Sequence, residues 1–262
     1  MSLLEATKLT RNFGGLTAVY EADLHIDTGE LIGLIGPNGA GKTTLFNLLT
    51  GVYPPSSGTI TLTIDGRTED IGGRKPYRIC AAGIGRTFQN IRLFKDLTVL
   101  DNVATALQQT RPYPLVSALF HIPPFGATER RIRSESLELL EVMGLAGKAD
   151  ELARNLSYGE QRHLEIARAL ATRPSLLLLD EPAAGMNPFE TAELTALIAK
   201  LRADFGLTVL LIEHDMSLVM KICERIYVLD HGIVIASGTP DEVRNNPKVI
   251  EAYLGGEEVG NA

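Results

Sequence analysis

Near the start of the chain, apolar and polar residues alternate with a period of two. The apolar positions are Tyr20, Ala22, Leu24 and Ile26, and the polar positions are Glu21, Asp23, His25 and Asp27. Such alternation is typical of a strand with one face in the core and the other in water. Ile60, Leu62 and Ile64 repeat the pattern after a turn-forming segment at 54–58. We therefore predict a small antiparallel sheet in this part of the chain.

A second kind of strand is apolar at almost every position. Residues 30–35, 175–179 and 208–213 follow this pattern, and helical patterns occur at 44–50 and 190–202. Uniformly apolar strands that alternate with helices are typical of a parallel sheet covered by helices on both faces. The predicted fold class is therefore α/β.

Two longer helical patterns occupy the middle of the chain, at 98–110 and 128–172. The segment between them, residues 111–125, holds four prolines, which should break any regular element and indicate an insertion. The second pattern is amphipathic, since Ile132 and Leu139 share one face while Arg133 lies elsewhere. We predict an α-helical subdomain, inserted at residues 90–165.

The chain closes with a predicted hairpin at 225–237 and two short helices. The first helix has a capping box that begins at Thr239, and the second opens with Asn246 and Pro247. The whole chain is predicted to be one domain with three parts. These are a core with its β subdomain at 1–89 and 166–237, the helical subdomain at 90–165, and a C-terminal helical extension at 238–262.

Composition limits the class of protein. The chain has 262 residues, 45% of them hydrophobic, and its apolar runs fall far short of the roughly 18 residues that span a bilayer. Glu5 stands where a secretory signal needs a basic and then an apolar run, so we predict no targeting segment and a cytosolic location. Cys80 and Cys223 lack CxxC spacing, which favours reduced core thiols over a disulfide or a zinc site.

The net charge of the chain limits the kind of ligand that it can bind. The net charge of −7 argues against a broad nucleic-acid surface, which needs clustered lysine and arginine. A single nucleotide remains possible, because local backbone donors, one lysine and a metal ion are enough to hold it. We therefore predict no nucleic-acid partner.

A glycine-rich segment at 36–43 matches GxxxxGK[ST] at every fixed position and lies between a predicted strand and a predicted helix. Its glycines let successive N–H groups turn inward, and the helix start adds its positive dipole end. This P-loop predicts an NTPase core in which Lys42 pairs with the β- and γ-phosphates of ATP and Thr43 offers its hydroxyl to Mg²⁺. A turn that binds nothing is the alternative. The residues predicted to hold ATP here are Gly36, Asn38, Gly39, Ala40, Gly41, Lys42, Thr43 and Thr44.

Two carboxylates, Asp180 and Glu181, follow the apolar strand at 176–179. They lie at the carboxyl end of that strand, where the P-loop also opens. We predict that Asp180 holds Mg²⁺, directly or through water, and that Glu181 accepts a proton from the attacking water. A strand end that enters a turn is the alternative, and it loses weight because a P-loop belongs to the same sheet.

Three further segments complete a recognisable set: the signature segment Leu-Ser-Tyr-Gly-Glu-Gln at 156–161, Gln89 in the Q-loop at 85–90, and His214 after the strand at 208–213. Together with the P-loop and the Asp180–Glu181 pair, they stand in the same order as in the ATP-binding cassette (ABC) ATPases. The chain resembles this family over nearly its whole length. Each segment alone is a weak signal, but five in this order are highly specific.

The resemblance implies a role for each of these residues. Ser157, Gly159 and Gln161 of the signature segment are expected to close on the ATP of another subunit in a head-to-tail dimer. Gln89 is expected to contact Mg²⁺ and water, His214 the γ-phosphate, and Phe13 the adenine ring. The alternatives are a plain helix cap for Ser157, a polar loop residue for Gln89, and core or surface positions for His214 and Phe13.

One departure from the family pattern is Asn187, where many members carry aspartate. This segment, Tyr158 and the proline-rich insertion resemble the ATPase subunits of branched-chain amino acid importers. That resemblance implies a cytoplasmic subunit, peripheral on the inner face of the cell membrane, with two transmembrane permease subunits and a second ATPase subunit, identical or related. A periplasmic or extracellular amino-acid-binding protein would be an indirect partner. An ATPase that drives lipopolysaccharide export and a soluble, non-transport ABC protein are the alternatives.

Apolar residues follow Gln89 in the segment that enters the helical subdomain. They are Ile91, Leu93, Phe94 and Leu97. The resemblance implies that part of this segment lines the groove for a membrane subunit's cytosolic helix, so that movement of Gln89 would reach the partner. Plain core positions are the alternative for each of them.

Overall fold

The computed structural model describes residues 2–110, 115–120 and 123–254. Its strands are β1 (Ser2–Phe13), β2 (Leu16–Asp27), β3 (Leu31–Ile35), β4 (Ser57–Ile64), β5 (Arg67–Asp70), β6 (Ile84–Arg86), β7 (Leu176–Asp180), β8 (Thr208–Ile212), β9 (Arg225–Asp230) and β10 (Ile233–Gly238). Its helices are α1 (Lys42–Leu49), α2 (Pro76–Ala81), α3 (Val99–Thr110), α4 (Leu115–Phe120), α5 (Phe125–Val142), α6 (Tyr158–Ala171), α7 (Pro188–Phe205), α8 (Met216–Ile222), α9 (Pro240–Arg244) and α10 (Pro247–Leu254).

The strands form two sheets, as predicted. One sheet has four antiparallel strands in the order β2-β1-β4-β5. The other has six strands in the order β10-β9-β3-β8-β7-β6 and is parallel except for β10 at its edge. The α/β prediction is confirmed.

Uniformly apolar strands are explained by a core on each side of the parallel sheet. In β7, Leu177 and Leu179 join a cluster with helical residues such as Leu164, Leu194 and Val103. The alternate residues Leu176 and Leu178 join a second cluster, toward the antiparallel sheet, with Leu4, Leu24 and Ile60. Because successive side chains of a strand point to opposite faces, both faces of the parallel sheet are buried.

The alternation predicted for residues 20–27 is correct from Ala22 onward and wrong at Tyr20, which is 51% exposed. Val19 is buried in its place, because a bulge interrupts the pairing of β1 with β2 between the Leu9–Ala22 and Arg11–Val19 pairs. Glu21 adopts a positive φ of 43° at this bulge. The N–H of Tyr20 donates to the Gly232 carbonyl, 2.8 Å away, in the turn between β9 and β10.

The continuous helix predicted for 128–172 is wrong, because two helices occupy this range. α5 ends at Val142, and Gly144 then takes a left-handed φ of 72°. Two short 3-10 helices follow, and their segment is tied to the start of α3, where the N–H of Val99 donates to the Glu151 carbonyl. α6 begins only after the capping residue Ser157.

The prediction that prolines exclude regular structure from 111–125 is also wrong in part. α4 forms between Pro114 and Pro123, in a stretch without proline, and its Leu119 and Phe120 are exposed. Residues 111–114 and 121–122 of that segment lie outside the described residues, as do residues 255–262 of the predicted C-terminal extension. The capping box at Thr239 is present at the start of α9.

Both cysteines are free thiols. Burial raises the pKa of Cys223 to about 12, whereas Cys80 is only partly buried, so the expectation of a core thiol is wrong for Cys80. None of the described helices combines the length and the apolar composition that crossing a membrane requires.

Candidate nucleotide site

The P-loop connects the end of β3 to the start of α1, where backbone packing requires glycine. Gly36 has a φ of 150°, and an added Cβ would lie 1.9 Å from the Leu229 carbonyl oxygen. At Gly41, with a φ of 100°, a Cβ would lie 2.5 Å from the Ala18 carbonyl oxygen. These two positions fix the path of the loop between its strand and its helix.

The first turn of α1 has backbone donors that no side chain caps. Gly41 is the capping residue and offers no side-chain acceptor, and the first turn holds no acidic residue. Free N–H groups and the positive end of the helix dipole therefore face the space in front of the loop. This arrangement suits the phosphate groups of a nucleotide.

Lys42 is buried and folds back over the loop. Its Nζ donates to the carbonyl oxygens of Gly36, at 2.6 Å, and Pro37, at 2.9 Å. Burial lowers the pKa of Lys42, and the nearby carboxylate of Glu181 acts in the opposite direction. The ammonium is thus already inside the cradle, and its hydrogen-bond partners among the residues described are neutral acceptors that an anion can replace.

The cradle opens into a cavity of about 310 Å³. Residues from four separate parts of the chain line this cavity together. The lining residues are Asn38, Gly39, Ala40, Gly41, Lys42, Thr43, Thr44, Gln89, Glu181 and His214. The structure therefore brings together the P-loop and all three residues for which we predicted a catalytic role.

Glu181 is the centre of the polar contacts in this cavity. Gln89 Nε2 donates to its Oε2 at 2.8 Å, and His214 Nε2 lies 2.5 Å from its Oε1. Its backbone has a φ of 47°, which is uncommon for a residue other than glycine. The Glu181 N–H donates to the Ile212 carbonyl at 2.9 Å, so the turn after β7 is fixed to the end of β8.

Glu213 supports this turn and was missed in the sequence. Its buried carboxylate accepts from the N–H of Ala183 at 2.7 Å and from the N–H of His214 at 3.2 Å. Burial raises the pKa of Glu213, while these two hydrogen bonds oppose the shift. The available signal was a carboxylate directly after the apolar run at 208–212.

Asp180 is buried beside the cavity but does not line it. Its Oδ2 accepts from Arg86 Nη2 at 2.8 Å, and its N–H donates to Thr87 Oγ1 at 3.3 Å. Thr43, the other residue predicted to meet Mg²⁺, is exposed on the first turn of α1. Arg86 was not singled out from the sequence.

The signature segment lies away from the cavity of its own chain. Exposed Ser157 caps α6: its Oγ accepts from the Glu160 N–H, and Glu160 Oε2 accepts from the Ser157 N–H at 3.0 Å. Glu160 also pairs with Lys148 at 2.6 Å, which lowers the pKa of the carboxyl. Gln161 Nε2 donates to the Leu156 carbonyl. Ser157, Gly159 and Gln161 do not line the 310 Å³ cavity.

Asn187 caps α7 in the same manner. Its Oδ1 accepts from the N–H groups of Phe189, at 2.9 Å, and Glu190, at 3.0 Å. Aspartate and asparagine cap helices about equally well. The amide therefore preserves the local geometry of this segment without its charge.

A buried ion pair joins α6 to the Q-loop and was also missed. Arg162, which is fully buried, donates to the carbonyls of Phe88, at 2.7 Å, and Gln89, at 3.0 Å, and pairs with Glu165 at 2.7 Å. Glu165 Oε1 accepts from the N–H groups of Phe88 and Arg92. Burial raises the pKa of Glu165, and Arg162 opposes that shift.

Phe13 lies at the end of β1 and is 38% exposed. Tyr53 packs edge-on against it with ring centroids 5.1 Å apart, and the Arg11 guanidinium lies 4.6 Å from the Phe13 centroid. Phe13 does not line the cavity. Neither residue was singled out from the sequence: Arg11 is an ordinary strand residue two positions before Phe13, and Tyr53 is 40 positions away from it.

Known proteins resemble this chain in sequence and in fold. The chain matches the family described as ABC transporter over residues 19–184 and that described as branched-chain amino acid ATP-binding cassette transporter over residues 234–259. The solved structure of the ATP-binding cassette MJ1267 in its ADP conformation superposes with a TM-score of 0.82 at 31% identity, covering 97% of this chain and 99% of that one. The chain belongs to the ABC transporter family and is a transport ATPase.

Within the family, the identities separate two groups of relatives. The high-affinity branched-chain amino acid transport ATP-binding protein LivG of Salmonella typhimurium is 51% identical over 257 residues, covering 97% of this chain and 98% of LivG. The lipopolysaccharide export system ATP-binding protein LptB of Haemophilus influenzae is 36% identical over 255 residues, with the same coverage. A dimeric structure of the cassette MJ0796 bound to ADP and Pi superposes at 26% identity with a TM-score of 0.73, covering 91% of this chain and 99% of that one.

Proposed function

We propose that this ATPase energises the uptake of branched-chain amino acids, and that it does so with Mg²⁺ as cofactor. One observation supports the catalytic part above all others: a single cavity holds the P-loop, Gln89, Glu181 and His214. The assignment of the transported substrate depends on the similarity to LivG, which is more similar to this chain than LptB is. A lipopolysaccharide-export role is therefore the weaker alternative.

The residues present fit a nucleotide with a divalent cation. The uncapped start of α1 and the buried ammonium of Lys42 suit the phosphates, and Thr43 and Asp180 supply the hard oxygen atoms that Mg²⁺ prefers. We assign Thr43, Gln89 and Asp180 to the metal. A Mg²⁺ ion held by these residues would neutralise negative charge on the phosphates.

In this mechanism the P-loop amides and Lys42 hold the phosphates, and Glu181 accepts a proton from the attacking water. Gln89 and His214 already contact the two carboxylate oxygens of Glu181. Opening of either contact would leave a carboxylate oxygen of Glu181 with both of its acceptor sites free for the water. His214 is the residue we assign to the γ-phosphate, so movement of its side chain toward the nucleotide would free Glu181 Oε1.

The proposed partners complete the site. We propose that a second ATPase subunit, identical or related, supplies its Ser157, Gly159 and Gln161 to this cavity, since these residues do not line it in their own chain. Phe13 would stack on the adenine.

Two permease subunits would carry the substrate, an amino-acid-binding protein would deliver it, and the ATPase would lie on the inner face of the membrane. We propose residues 90–165 as the helical subdomain that moves against the rest.

Co-purification tests the transport role. The tagged chain, captured from native membranes in mild detergent, should bring along permease subunits and an ATPase subunit that mass spectrometry identifies. Reconstitution of that complex in liposomes should give ATP-dependent leucine uptake. Capture of the lipopolysaccharide-export permeases would favour the LptB-like alternative, and capture without any membrane subunit would favour a soluble, non-transport role.

Closure of the proposed dimer can be tested at Ser157. Ser157→Arg places bulk where the partner's γ-phosphate would lie, so the variant should stay monomeric in MgATP on size-exclusion chromatography. Ser157→Ala is the comparison without added bulk: it loses the cap of α6, at about 1 kcal/mol of stability, and the hydroxyl offered to the partner's ATP, but leaves the space for the γ-phosphate open. This variant should still dimerise. A Ser157→Arg chain that closes normally around ATP would contradict the assignment.

The docking of a permease can be tested at the apolar segment after Gln89. Phe94 is 47% exposed beside a groove of about 470 Å³, whereas Leu93 packs partly against the core. Leu93→Asp with Phe94→Asp should abolish assembly with the permeases and leave ATP binding intact. Phe94→Asp alone separates this effect from a folding defect, since it adds charge only at the surface.

Phe205→Asp is the control for this substitution, because Phe205 is 45% exposed at the end of α7, outside that groove. Co-purification of the permeases measures the outcome for each variant. A transporting complex that assembles normally with both substitutions at 93 and 94 would place the docking site elsewhere.

A further inference from the structure

Arg86, the last residue of β6, has a guanidinium that is almost fully buried between three elements. Nη1 donates to Asn47 Oδ1 at 2.7 Å and to Thr50 Oγ1 at 2.8 Å, and both acceptors belong to the end of α1. Nη2 donates to Asp180 Oδ2 at 2.8 Å. One side chain thus ties the helix that carries Thr43 to the carboxylate at the end of β7.

Aromatic rings fix the position of this guanidinium. Its carbon lies 5.7 Å from the centroid of Phe46 and 5.1 Å from that of Phe88. The planar fork of an arginine presents its N–H groups in set directions, unlike the mobile ammonium of a lysine. Packed in this way, the fork determines where Asp180 Oδ2 lies.

The contact with Arg86 makes the two carboxylate oxygens of Asp180 different from each other. Among the described residues, Arg86 is the one cation paired with Asp180, whose side chain is 4% exposed, and Oδ1 receives no hydrogen bond. The Asp180 backbone is held separately by Thr87. With Oδ2 occupied, Oδ1 is the oxygen left for another ligand.

We infer that Arg86 is a positioning residue for the metal site, holding Asp180 so that Oδ1 serves Mg²⁺ in register with Thr43. The inference rests on the Mg²⁺ site proposed above. A purely structural brace between α1 and β7 is the competing explanation. The two differ in metal dependence, because a brace would affect stability and overall activity without changing the Mg²⁺ concentration that the site requires.

The experiment compares Arg86→Met and Arg86→Lys with the parent chain. Loss of a residue that orients a metal ligand typically lowers the metal affinity by about 10- to 100-fold. Arg86→Met should therefore raise the Mg²⁺ concentration for half-maximal ATPase activity at least tenfold, by about the lower end of that range. Arg86→Lys, which keeps the charge but loses the fork, should fall between the two. Mn²⁺ binding in the presence of a non-hydrolysable ATP analogue, followed by electron paramagnetic resonance, should weaken in the same order.

Asn47→Ala is the matched control, because it removes one α1 contact of Arg86 and leaves the pair with Asp180 in place. Its metal dependence should stay within about threefold of the parent, well below the effect expected for an orienting partner. Circular dichroism identifies folded protein, and Arg86→Lys serves if Arg86→Met does not fold. Unchanged Mn²⁺ affinity in folded Arg86 variants would overturn the inference, whereas a parent chain that needs no divalent cation would overturn the proposed metal site itself.

Discussion

Glu181→Gln should slow ATP hydrolysis by about 10²- to 10⁴-fold, the range that a positioned general base contributes. Glutamine keeps the size of the side chain and can still meet Gln89 and His214, but it cannot accept a proton at neutral pH. ATP binding should survive, since Lys42 and the P-loop amides are untouched. The variant should therefore accumulate as a closed dimer around unhydrolysed ATP.

A phosphate-release assay and size-exclusion chromatography with MgATP measure the two halves of this result. Glu193→Gln, on the exposed surface of α7, is the matched control and should hydrolyse ATP at the parent rate. Near-normal turnover by Glu181→Gln would remove the general-base role and leave Glu181 as a carboxylate that only terminates a strand.

Lys42→Ala should weaken ATP binding by about 10- to 100-fold. A hydrogen bond to a charged group is worth about 1.5–3 kcal/mol, and each 1.4 kcal/mol is a factor of ten in affinity. The structure adds a reason for a large effect, because in the described part of the chain the buried Nζ donates to neutral carbonyls alone, those of Gly36 and Pro37. An incoming phosphate therefore meets a cation that no carboxylate pairs with among the described residues.

Titration of a fluorescent ATP analogue in Mg²⁺ measures the change at Lys42. Lys200→Ala removes an exposed lysine of α7 and controls for the loss of one positive charge. Unchanged affinity in Lys42→Ala would mean that residues 36–43 are not the phosphate cradle.

The sequence predicts a parallel sheet but not the order of its strands. It was nevertheless sufficient to predict most of the site residues. Buried strands appear as uniform apolar runs, and the P-loop, Glu181 and His214 each follow directly after such a run. Parallel strands bring their carboxyl ends to one edge, so residues far apart in sequence could be predicted to meet. This part of the site was predictable because each residue lies close in sequence to a recognisable strand, and because parallel strands of one sheet end at the same edge.

Other features depend on contacts that no local pattern reveals. Arg86 meets Asp180 across 94 positions of sequence, and Arg162 meets the Phe88 carbonyl across 74. Tyr20 departs from its alternating pattern at the bulge between β1 and β2, where its N–H bonds to the turn at Gly232, more than 200 positions away in sequence. Such side-chain and bulge geometry is set by tertiary packing rather than by local propensity.

The buried ion pair of Arg162 and Glu165 provides a route by which nucleotide binding at one site of the proposed dimer would affect the other site. In the proposed dimer, the start of α6 contacts the ATP of the partner, while the Q-loop fixed to the same helix carries Gln89 into this chain's own cavity. Both ends of a single rigid body would then shift together. Occupancy of one site would then change the geometry of the other, and thermodynamic linkage would make that effect on nucleotide affinity equal in both directions. The two sites of such a dimer would therefore bind nucleotide cooperatively.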